Sequence, residues 1–197
     1  MSKYTVIVVD PPWSYGSDTG RPHTAEAHYE TMGNEGKEIN RKTGAGIESI
    51  ISGTPVIDLA APDAHLYLWT TNPKLPFTFE IMRAWGFDYK TTLTWVKTSA
   101  DGAAKRGGMG FFFRGATEHV LFGVKGSKPI AAALRWPNVV MAPSTGHSEK
   151  PVAFYEMLRQ IYPAGEQMVD VYARQRHHRF EPYGNEVHTT EVLPLFG

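Results

Sequence analysis

Short apolar runs recur along the chain, and each is bounded by glycine, proline, asparagine or charged residues. Runs of this length that are rich in β-branched and aromatic residues are typical of strands. The pattern therefore predicts six strands, over Tyr4–Val9, His65–Thr70, Thr91–Lys97, Glu118–Lys125, Asn138–Met141 and Gln167–Tyr172.

Two longer stretches between these runs carry an apolar residue every three or four positions, which is the period of an amphipathic helix. The first is predicted to end at Gly86, and its apolar face comprises Leu75, Phe79 and Met82. The second offers Ser148 as a cap and Pro151 in its first turn. Its apolar stripe comprises Val152, Tyr155, Leu158 and Tyr162. Strands that alternate with helices predict an α/β fold with a mostly parallel sheet.

Two segments fit neither pattern. Residues 14–46 are rich in glycine, threonine and charge, and residues 98–116 contain five glycines and three consecutive phenylalanines. Long loops inside a compact domain are usually functional lids or disordered segments. We also predict a C-terminal tail over residues 187–197. The whole chain, residues 1–197, is predicted to form a single domain that includes these loops and the tail.

The composition indicates a globular protein, with 42% hydrophobic and 20% charged residues. The chain has no cysteine, which excludes disulfides, thiolate zinc sites and a cysteine nucleophile. Its first residues form neither a secretory signal nor a membrane helix, so we expect a cytoplasmic protein with no membrane partner. The net charge is zero, but residues 83–136 carry nine basic and three acidic residues. Such a segment could bind phosphates, or it could be only a solvated surface.

The stretch "VIVVDPPWSYG" ends a buried strand in an unusual turn. Asp10 offers an acceptor oxygen, the Pro11 carbonyl offers a second, and Pro12 holds that carbonyl rigidly. Trp13 adds a flat face suited to stacking a nucleobase. Two acceptors beside an aromatic ring suit the exocyclic amine of adenine, whose nitrogen becomes more nucleophilic when both hydrogens are accepted. The alternative is a purely structural turn closed by a packed tryptophan.

Several further motifs occur in the order found in one family. They are "HYETM" at 28–32, "HLYLWTTNP" at 65–73, "RAWGF" at 83–87, "TWVKT" at 94–98, "EHVLFGVKG" at 118–126, "HSEKP" at 147–151, "VYAR" at 171–174 and "YGNE" at 183–186. With the DPPW turn, they resemble the DPPW-type adenine-N6 methyltransferases, bacterial and phage relatives of the catalytic subunit of the eukaryotic messenger-RNA adenosine methyltransferase. The resemblance implies a Rossmann-like fold that uses S-adenosylmethionine and is circularly permuted, so that the catalytic turn precedes the cofactor segment.

The resemblance also implies roles for individual residues. The catalytic turn would be Asp10, Pro11, Pro12 and Trp13. Cofactor contacts would come from Asp10, Lys150, Arg174, His177, His178, Asn185 and Glu186, with the register of the two histidines left open. Substrate contacts would come from Tyr29, Trp95, Lys97, Arg106, Arg114 and Glu118. The histidine pair has no partners at ligand spacing, so we predict no metal.

These features predict an enzyme that methylates the N6 amine of adenine in DNA. Its expected partner is nucleic acid, and it could also form a homodimer. One alternative keeps the chemistry and changes the acceptor to adenosine in RNA. Another is a catalytically silent nucleic-acid-binding subunit. The presence of both the Asp-Pro-Pro-Trp turn and Lys150 argues against it, because a silent subunit would not need to retain both. Cytosine-N4 methylation is chemically close, but its turn usually begins with serine.

Overall fold

A computed structural model describes most of the chain. The described residues are 3–13, 46–106, 112–144 and 149–183, together with the backbone of a short strand at 191–192. Of the loop predicted at 14–46 only Gly46 is among them, and Ser148 and most of the predicted tail lie outside them.

Helices and strands alternate along the described residues, as the sequence predicts. In chain order the elements are β1 (Tyr4–Val9), α1 (Ile47–Gly53), α2 (Val56–Leu59), β2 (Ala60–Thr70), α3 (Leu75–Ala84), β3 (Asp88–Thr98), β4 (Thr117–Lys125), a 3₁₀ turn (Ala132–Leu134), β5 (Val139–Pro143), α4 (Val152–Ile161), β6 (Met168–Val171), β7 (Arg176–His177), β8 (Phe180–Tyr183) and β9 (Glu191–Val192).

Seven of these strands form one sheet in the order β5-β3-β4-β2-β1-β6-β8. Strand β4 is antiparallel to both of its neighbours, and every other neighbouring pair is parallel. The mostly parallel α/β sheet is therefore confirmed. Because the parallel strands point the same way, they all end at one rim of the sheet, which we call the carboxyl rim. They begin at the opposite rim, the amino rim.

All six predicted strands are present, with shifts at some ends. Strand β2 begins at Ala60 rather than His65, and an irregularity in its pairing with β1 near Tyr4 accommodates the added residues. Strand β6 ends at Val171, one residue before the predicted end, because Tyr172 turns into the left-handed region with φ 65°. That conformation cannot continue a strand.

Both predicted helices are present. Helix α3 ends just before Gly86, whose φ of 79° provides the left-handed turn that favours glycine. Helix α4 begins at Val152 with Pro151 as its N-cap, so Ser148 is not the cap and the prediction that Pro151 lies in the first turn was wrong by one position. Helices α1 and α2 were not predicted, because each is too short to repeat an apolar period.

The sheet has a hydrophobic core on each face. Alternate β1 side chains divide between the two cores: Ile7 and Val9 pack with α1 and α3, while Val6 and Val8 pack with α4. The result is a helix–sheet–helix sandwich. No helix among the described residues combines the length and apolar character that a membrane crossing needs.

Candidate active site

The carboxyl rim gathers charged and aromatic side chains from several strands. Asp10 follows β1, Trp69 lies near the end of β2, and Asp170 lies near the end of β6. Lys97 near the end of β3 and Glu118 at the start of antiparallel β4 reach the same rim. Ligands of open α/β sheets bind beyond the carboxyl ends of parallel strands. This rim is therefore the candidate site.

The Asp-Pro-Pro-Trp turn leaves β1 at the middle of this rim. The backbone N–H of Asp10 donates to the carbonyl of Val171 at 3.3 Å, so the turn stays attached to β6. The N–H of Trp13 donates to the Pro11 carbonyl at 2.7 Å, which closes a three-residue turn around Pro12. The Pro11 carbonyl thus uses one lone pair to hold the turn and retains its second as an acceptor.

Trp13 does not present the open stacking face expected from the sequence. Its side chain is only 4% exposed and packs in the core beside α1 and α3. Its indole N–H donates to the carbonyl of Trp69 at 3.2 Å. This position buries the large apolar ring and gives its single N–H donor an acceptor. The hydrogen bond also attaches the end of the turn to β2.

A line of alternating charges runs from the turn across the rim. The Lys150 ammonium lies 2.9 Å from an Asp10 carboxylate oxygen and 3.1 Å from Glu118. Glu118 is also 2.5 Å from the Lys97 ammonium. The four side chains are largely buried, and their charges cancel. Lys150 therefore lies between the carboxylates of Asp10 and Glu118, and Glu118 connects it to Lys97.

Burial and pairing act in opposite directions on these groups. Burial raises the pKa of Asp10, and the neighbouring Lys150 ammonium only partly offsets the rise. Burial also acts to raise the pKa of Glu118, but the Lys150 and Lys97 ammonium groups outweigh it, and the pKa is lowered. For Lys150, the attraction of Asp10 and Glu118 outweighs the cost of burial and raises the pKa. Lys150 therefore stays charged.

Beside the turn, a small cleft opens to solvent. Its lining comprises Asp10, Glu149, Lys150, Tyr155, Asp170, Tyr172, Ala173, Arg174, Gln175 and His177. The cleft therefore joins the carboxylate of the turn, an ammonium group and a guanidinium group.

Asp170 is a lining residue that the sequence reasoning missed. It is buried, and it accepts a hydrogen bond from the Tyr155 hydroxyl at 2.8 Å. Burial raises the pKa of Asp170 to about 8, against the lowering effect of that hydrogen bond and with a further rise from Asp10. The Tyr155 ring stacks on His177 with 3.4 Å between ring centroids. An acidic residue inside the apolar run "MVDV" was the signal that could have identified it.

The backbone beyond β6 is strained at the cleft. Tyr172 has a φ of 65°, which is uncommon for a residue with a side chain. Its N–H donates to the Tyr183 carbonyl at 2.7 Å, and its hydroxyl is 2.8 Å from that of Thr54. These contacts hold a conformation that turns Ala173 and Arg174 toward the cleft. Such strain clusters at functional sites.

The structure distinguishes between the two histidines of the predicted cofactor set. His177 is buried and lines the cleft, and burial lowers its pKa to about 4, with Arg159 contributing to the lowering. His178 is exposed. Arg174 lines the cleft, and its charge acts to lower the pKa of Asp10. Asn185 and Glu186 lie outside the described residues.

The predicted substrate residues do not all meet at the cleft. Trp95 is 2% exposed and donates to the Ala142 carbonyl at 2.9 Å, so it packs in the core instead of facing a substrate. Arg106 and Arg114 are exposed in the loop between β3 and β4. Tyr29 lies outside the described residues, as does the rest of its segment. Within the described residues, no three histidine, aspartate or glutamate side chains group in a way that could hold a metal.

Comparison with known proteins gives a family match over nearly the whole chain. The model of the MT-A70 family matches residues 4–186, which include the turn, both flanking strands and the cleft.

Curated proteins similar to the chain are methyltransferases by name. The type II methyltransferase M.MunI from Mycoplasma sp is 26% identical over 99% of this chain and 83% of its own length. The N(6)-adenosine-methyltransferase subunit METTL3 of Danio rerio is 25% identical over 98% of this chain and 30% of its own length. The N(6)-adenine-specific methyltransferase METTL4 of Mus musculus is 27% identical over 98% of this chain and 39% of its own length. The chain thus spans most of M.MunI and less than two fifths of the other two.

Proposed function

Because the chain belongs to the MT-A70 family, we propose that it is an S-adenosylmethionine-dependent methyltransferase that methylates the N6 amine of adenine in DNA. The observation that carries the proposal is the Asp10 carboxylate, which stands at the end of β1 with the Lys150 ammonium 2.9 Å away in an open cleft.

The cleft fits the amino-acid end of S-adenosylmethionine. That end carries one carboxylate and one ammonium group, and the cleft supplies partners for both. Lys150 and Arg174 would hold the carboxylate through charge-assisted hydrogen bonds, while Asp10 and Asp170 would accept from the ammonium group. When bound, S-adenosylmethionine supplies a methyl group on a positively charged sulfur. The carboxylates at the rim favour positive charge there.

The turn would activate the amine without a strong base. The Asp10 carboxylate and the free lone pair of the Pro11 carbonyl would each accept one hydrogen of the amine. The nitrogen then becomes more tetrahedral, and its own lone pair becomes available for attack. Lys150 orients Asp10, and Glu118 holds Lys150 in place through a 3.1 Å contact. After transfer the nitrogen is positively charged, and Asp10 is the nearest proton acceptor of the turn.

The order of these parts along the chain supports the circular permutation that the resemblance implies. The turn follows the first strand, and the cofactor strand β6 lies beside β1 in the sheet although it comes late in the sequence. DNA is the acceptor that we take from the likeness to M.MunI, a type II methyltransferase that the chain matches along most of its length. The adenosine methyltransferases are matched over about a third of their length or less.

The test is methyl transfer from tritiated S-adenosylmethionine to separate pools of duplex DNA, single-stranded DNA and RNA, followed by digestion to nucleosides. We expect label in N6-methyldeoxyadenosine, and its loss by at least about a thousandfold in Asp10→Ala. Asp58→Ala is the matched control, because Asp58 is an exposed acid on α2, which precedes β2 at the amino rim, opposite the turn. Its activity should equal that of the wild type.

Other outcomes would contradict parts of the proposal. Label in RNA adenosine alone would keep the chemistry and replace the acceptor. Label in N4-methyldeoxycytidine would replace the base. Failure of the protein to bind S-adenosylmethionine in calorimetry would indicate a silent nucleic-acid-binding subunit.

A further inference from the structure

Two adjacent aromatic rings stand almost fully in solvent. Phe112 is 96% exposed and Phe113 is 90% exposed, far more than any other large hydrophobic side chain of the described residues. Phenylalanine is among the residues most often buried. Two of them side by side in water indicate a surface that becomes buried when something binds.

The two rings belong to a loop rooted in the candidate site. The loop joins β3 to β4, and the N–H of Lys97 donates to the Ala116 carbonyl at 2.8 Å where the two strands meet. Lys97 also contacts Glu118, the residue that holds Lys150. Phe112 lies four positions before Ala116, which is at most about 14 Å of extended chain. The rings are therefore within reach of the mouth of the cleft.

The first half of the loop is folded against the end of β3. The N–H of Ser99 donates to the Ala103 carbonyl at 2.9 Å, and the N–H of Lys105 donates to the Lys97 carbonyl at 2.7 Å. Gly102 makes the turn with a φ of 82°. This folded base carries Lys105 and the next residue, Arg106, on the surface.

Basic residues flank the aromatic pair. Lys105 and Arg106 precede it, Arg114 follows it directly, and all three are exposed. Cations spaced along a loop suit the phosphates of a nucleic-acid backbone. The charge therefore favours nucleic acid as the occupant of this surface over another protein chain.

We propose that Phe112 and Phe113 form an aromatic wedge that enters a DNA duplex and fills the stack vacated by the target adenine, so that double-stranded DNA is the substrate. An adenine amine inside a duplex is out of reach of Asp10 unless the base leaves the stack, and apolar side chains inserted between base steps separate them. The inference rests on the proposed function. It adds the form of the acceptor and the residues that select it.

The first test compares one DNA pool as duplex and after melting to single strands. In Phe112→Ala/Phe113→Ala, we expect kcat/KM to fall at least tenfold on duplex and less than twofold on single strands, because single strands need no wedge. The Phe112→Tyr/Phe113→Tyr variant keeps both rings and should restore duplex activity. Ile57→Ala is the control for removal of an exposed apolar side chain, since Ile57 is 51% exposed on α2 at the amino rim. It should change neither value.

The second test measures binding and does not need turnover. A duplex with one abasic position offers a ready gap, and the wild type should bind it at least fivefold more tightly than the intact duplex. The double alanine variant should lose this preference. If the wild type methylates no DNA but shows the preference, the wedge stands and the proposed function fails.

Three results would overturn the wedge. They are unchanged duplex activity in the double alanine variant, an equal loss on duplex and single strands, and equal wild-type affinity for abasic and intact duplexes. An equal loss accompanied by a smaller mass in light scattering would assign the two rings to a protein interface instead.

Discussion

Both rims of the sheet bury polar side chains, but these side chains differ in charge and in hydrogen bonding between the two rims. At the amino rim, His65 and two tyrosines form a neutral network. The His65 Nε2–H donates to the Lys128 carbonyl at 2.5 Å, because a carbonyl can only accept. Nδ1 therefore accepts from the Tyr162 hydroxyl, and the Tyr67 hydroxyl donates to the Tyr162 oxygen at 2.8 Å. Every group of this network has a partner in its neutral form.

At the carboxyl rim the corresponding groups are charged, strained or incompletely paired. Asp10 is largely buried with a raised pKa, and the pKa of Asp170 is raised to about 8. The buried indole N–H of Trp69 has no hydrogen-bond partner, although the Lys150 ammonium lies 5.1 Å from its ring centroid. Tyr172 adopts an uncommon backbone conformation.

Buried polar groups are normally paired, and an unpaired one needs a reason. The amino rim follows this rule, so its network contributes to stability and specifies the fold. The carboxyl rim departs from it at the indole N–H of Trp69, and the same rim holds the two carboxyl groups whose pKa is raised, where a ligand could supply partners. Local departures of this kind are expected at functional sites. The comparison therefore separates a stabilising rim from a binding rim, and each variant below tests that separation.

The largest expected effect is at Lys150. Lys150→Met leaves Asp10 and Glu118 buried without the ammonium group between them, and breaking a buried pair in this way costs roughly 3–5 kcal/mol of unfolding free energy. The loss should be greatest at pH 8 and smaller at pH 5, where Asp10 can take up a proton. Urea unfolding at the two pH values measures it.

Lys97→Met is the matched control for this variant. Glu118 then still has Lys150, and Lys97 is the more exposed of the two lysines, so the loss should be about 1 kcal/mol or less. Equal losses in the two variants would show that Lys150 holds no special place at the carboxyl rim.

The next effect is the pH dependence contributed by His65. Burial lowers its pKa to about 4 from the ordinary 6.5, so the unfolded chain binds the proton first as the pH falls. The neutral network therefore stabilises fully above pH 6.5 and loses roughly 3 kcal/mol between pH 6.5 and 4. His65→Gln should reduce this dependence of stability on pH and leave the part that is due to His177. The control is His178→Gln, at an exposed position, which should leave the pH dependence unchanged. Identical slopes in all three proteins would contradict the prediction.

Asp170 should give a slope of the opposite sign. Its pKa is about 8 in the folded protein and 3.8 ordinarily, so the folded state binds the extra proton. Stability should therefore fall as the pH rises from 6 to 8, by at most about 1.4 kcal/mol per unit. Asp170→Asn removes this group, and the Tm of the variant should change less than that of the wild type between pH 6 and 8. A Tm profile unchanged by the substitution would show that Asp170 is ionised in the folded protein.

A pair of tyrosine variants compares the two rims directly. Tyr162→Phe deprives both His65 and Tyr67 of a partner and should cost roughly 1–3 kcal/mol, with methyl transfer per folded molecule unchanged. Tyr155→Phe removes the hydrogen bond that lowers the pKa of Asp170, so it should weaken S-adenosylmethionine binding about tenfold at neutral pH. Unfolding curves and calorimetry measure the two effects. A reversal of the two results would exchange the roles that we give to the rims.

The sequence predicted the periodic parts of this molecule well. Strand β1 has the predicted bounds, and the predicted end of α3 at Gly86 was confirmed, because both depend on local pattern and backbone preference. The short helices α1 and α2 were missed, since tertiary packing and not periodicity stabilises them. The family match over residues 4–186 confirmed the resemblance.

Side-chain placement was harder to predict. Trp13 and Trp95 pack in the core, where their indole N–H groups donate to carbonyl acceptors of β2 and β5. These strands are distant in sequence from the tryptophans, so the sequence alone does not reveal the contacts. The same holds for Asp170, whose partner Tyr155 comes from α4. A residue type and its position in a motif predict that a side chain matters, but only the packing tells whether it faces the substrate or supports a neighbour.

The smallest expected effect concerns Trp13. Trp13→Phe removes the hydrogen bond to the Trp69 carbonyl and should cost about 1 kcal/mol. Trp85→Phe is the matched control, because Trp85 is equally buried and donates to the Ile51 carbonyl at 3.3 Å, away from the turn. If Trp13 holds the turn, only Trp13→Phe should lower kcat, by roughly tenfold, while both variants lose similar stability. If Trp13 instead stacks on the substrate base, phenylalanine keeps an aromatic face and kcat should stay within about twofold of the wild type. Single-turnover methylation beside urea unfolding decides between a residue that supports the carboxyl rim and one that contacts the substrate there.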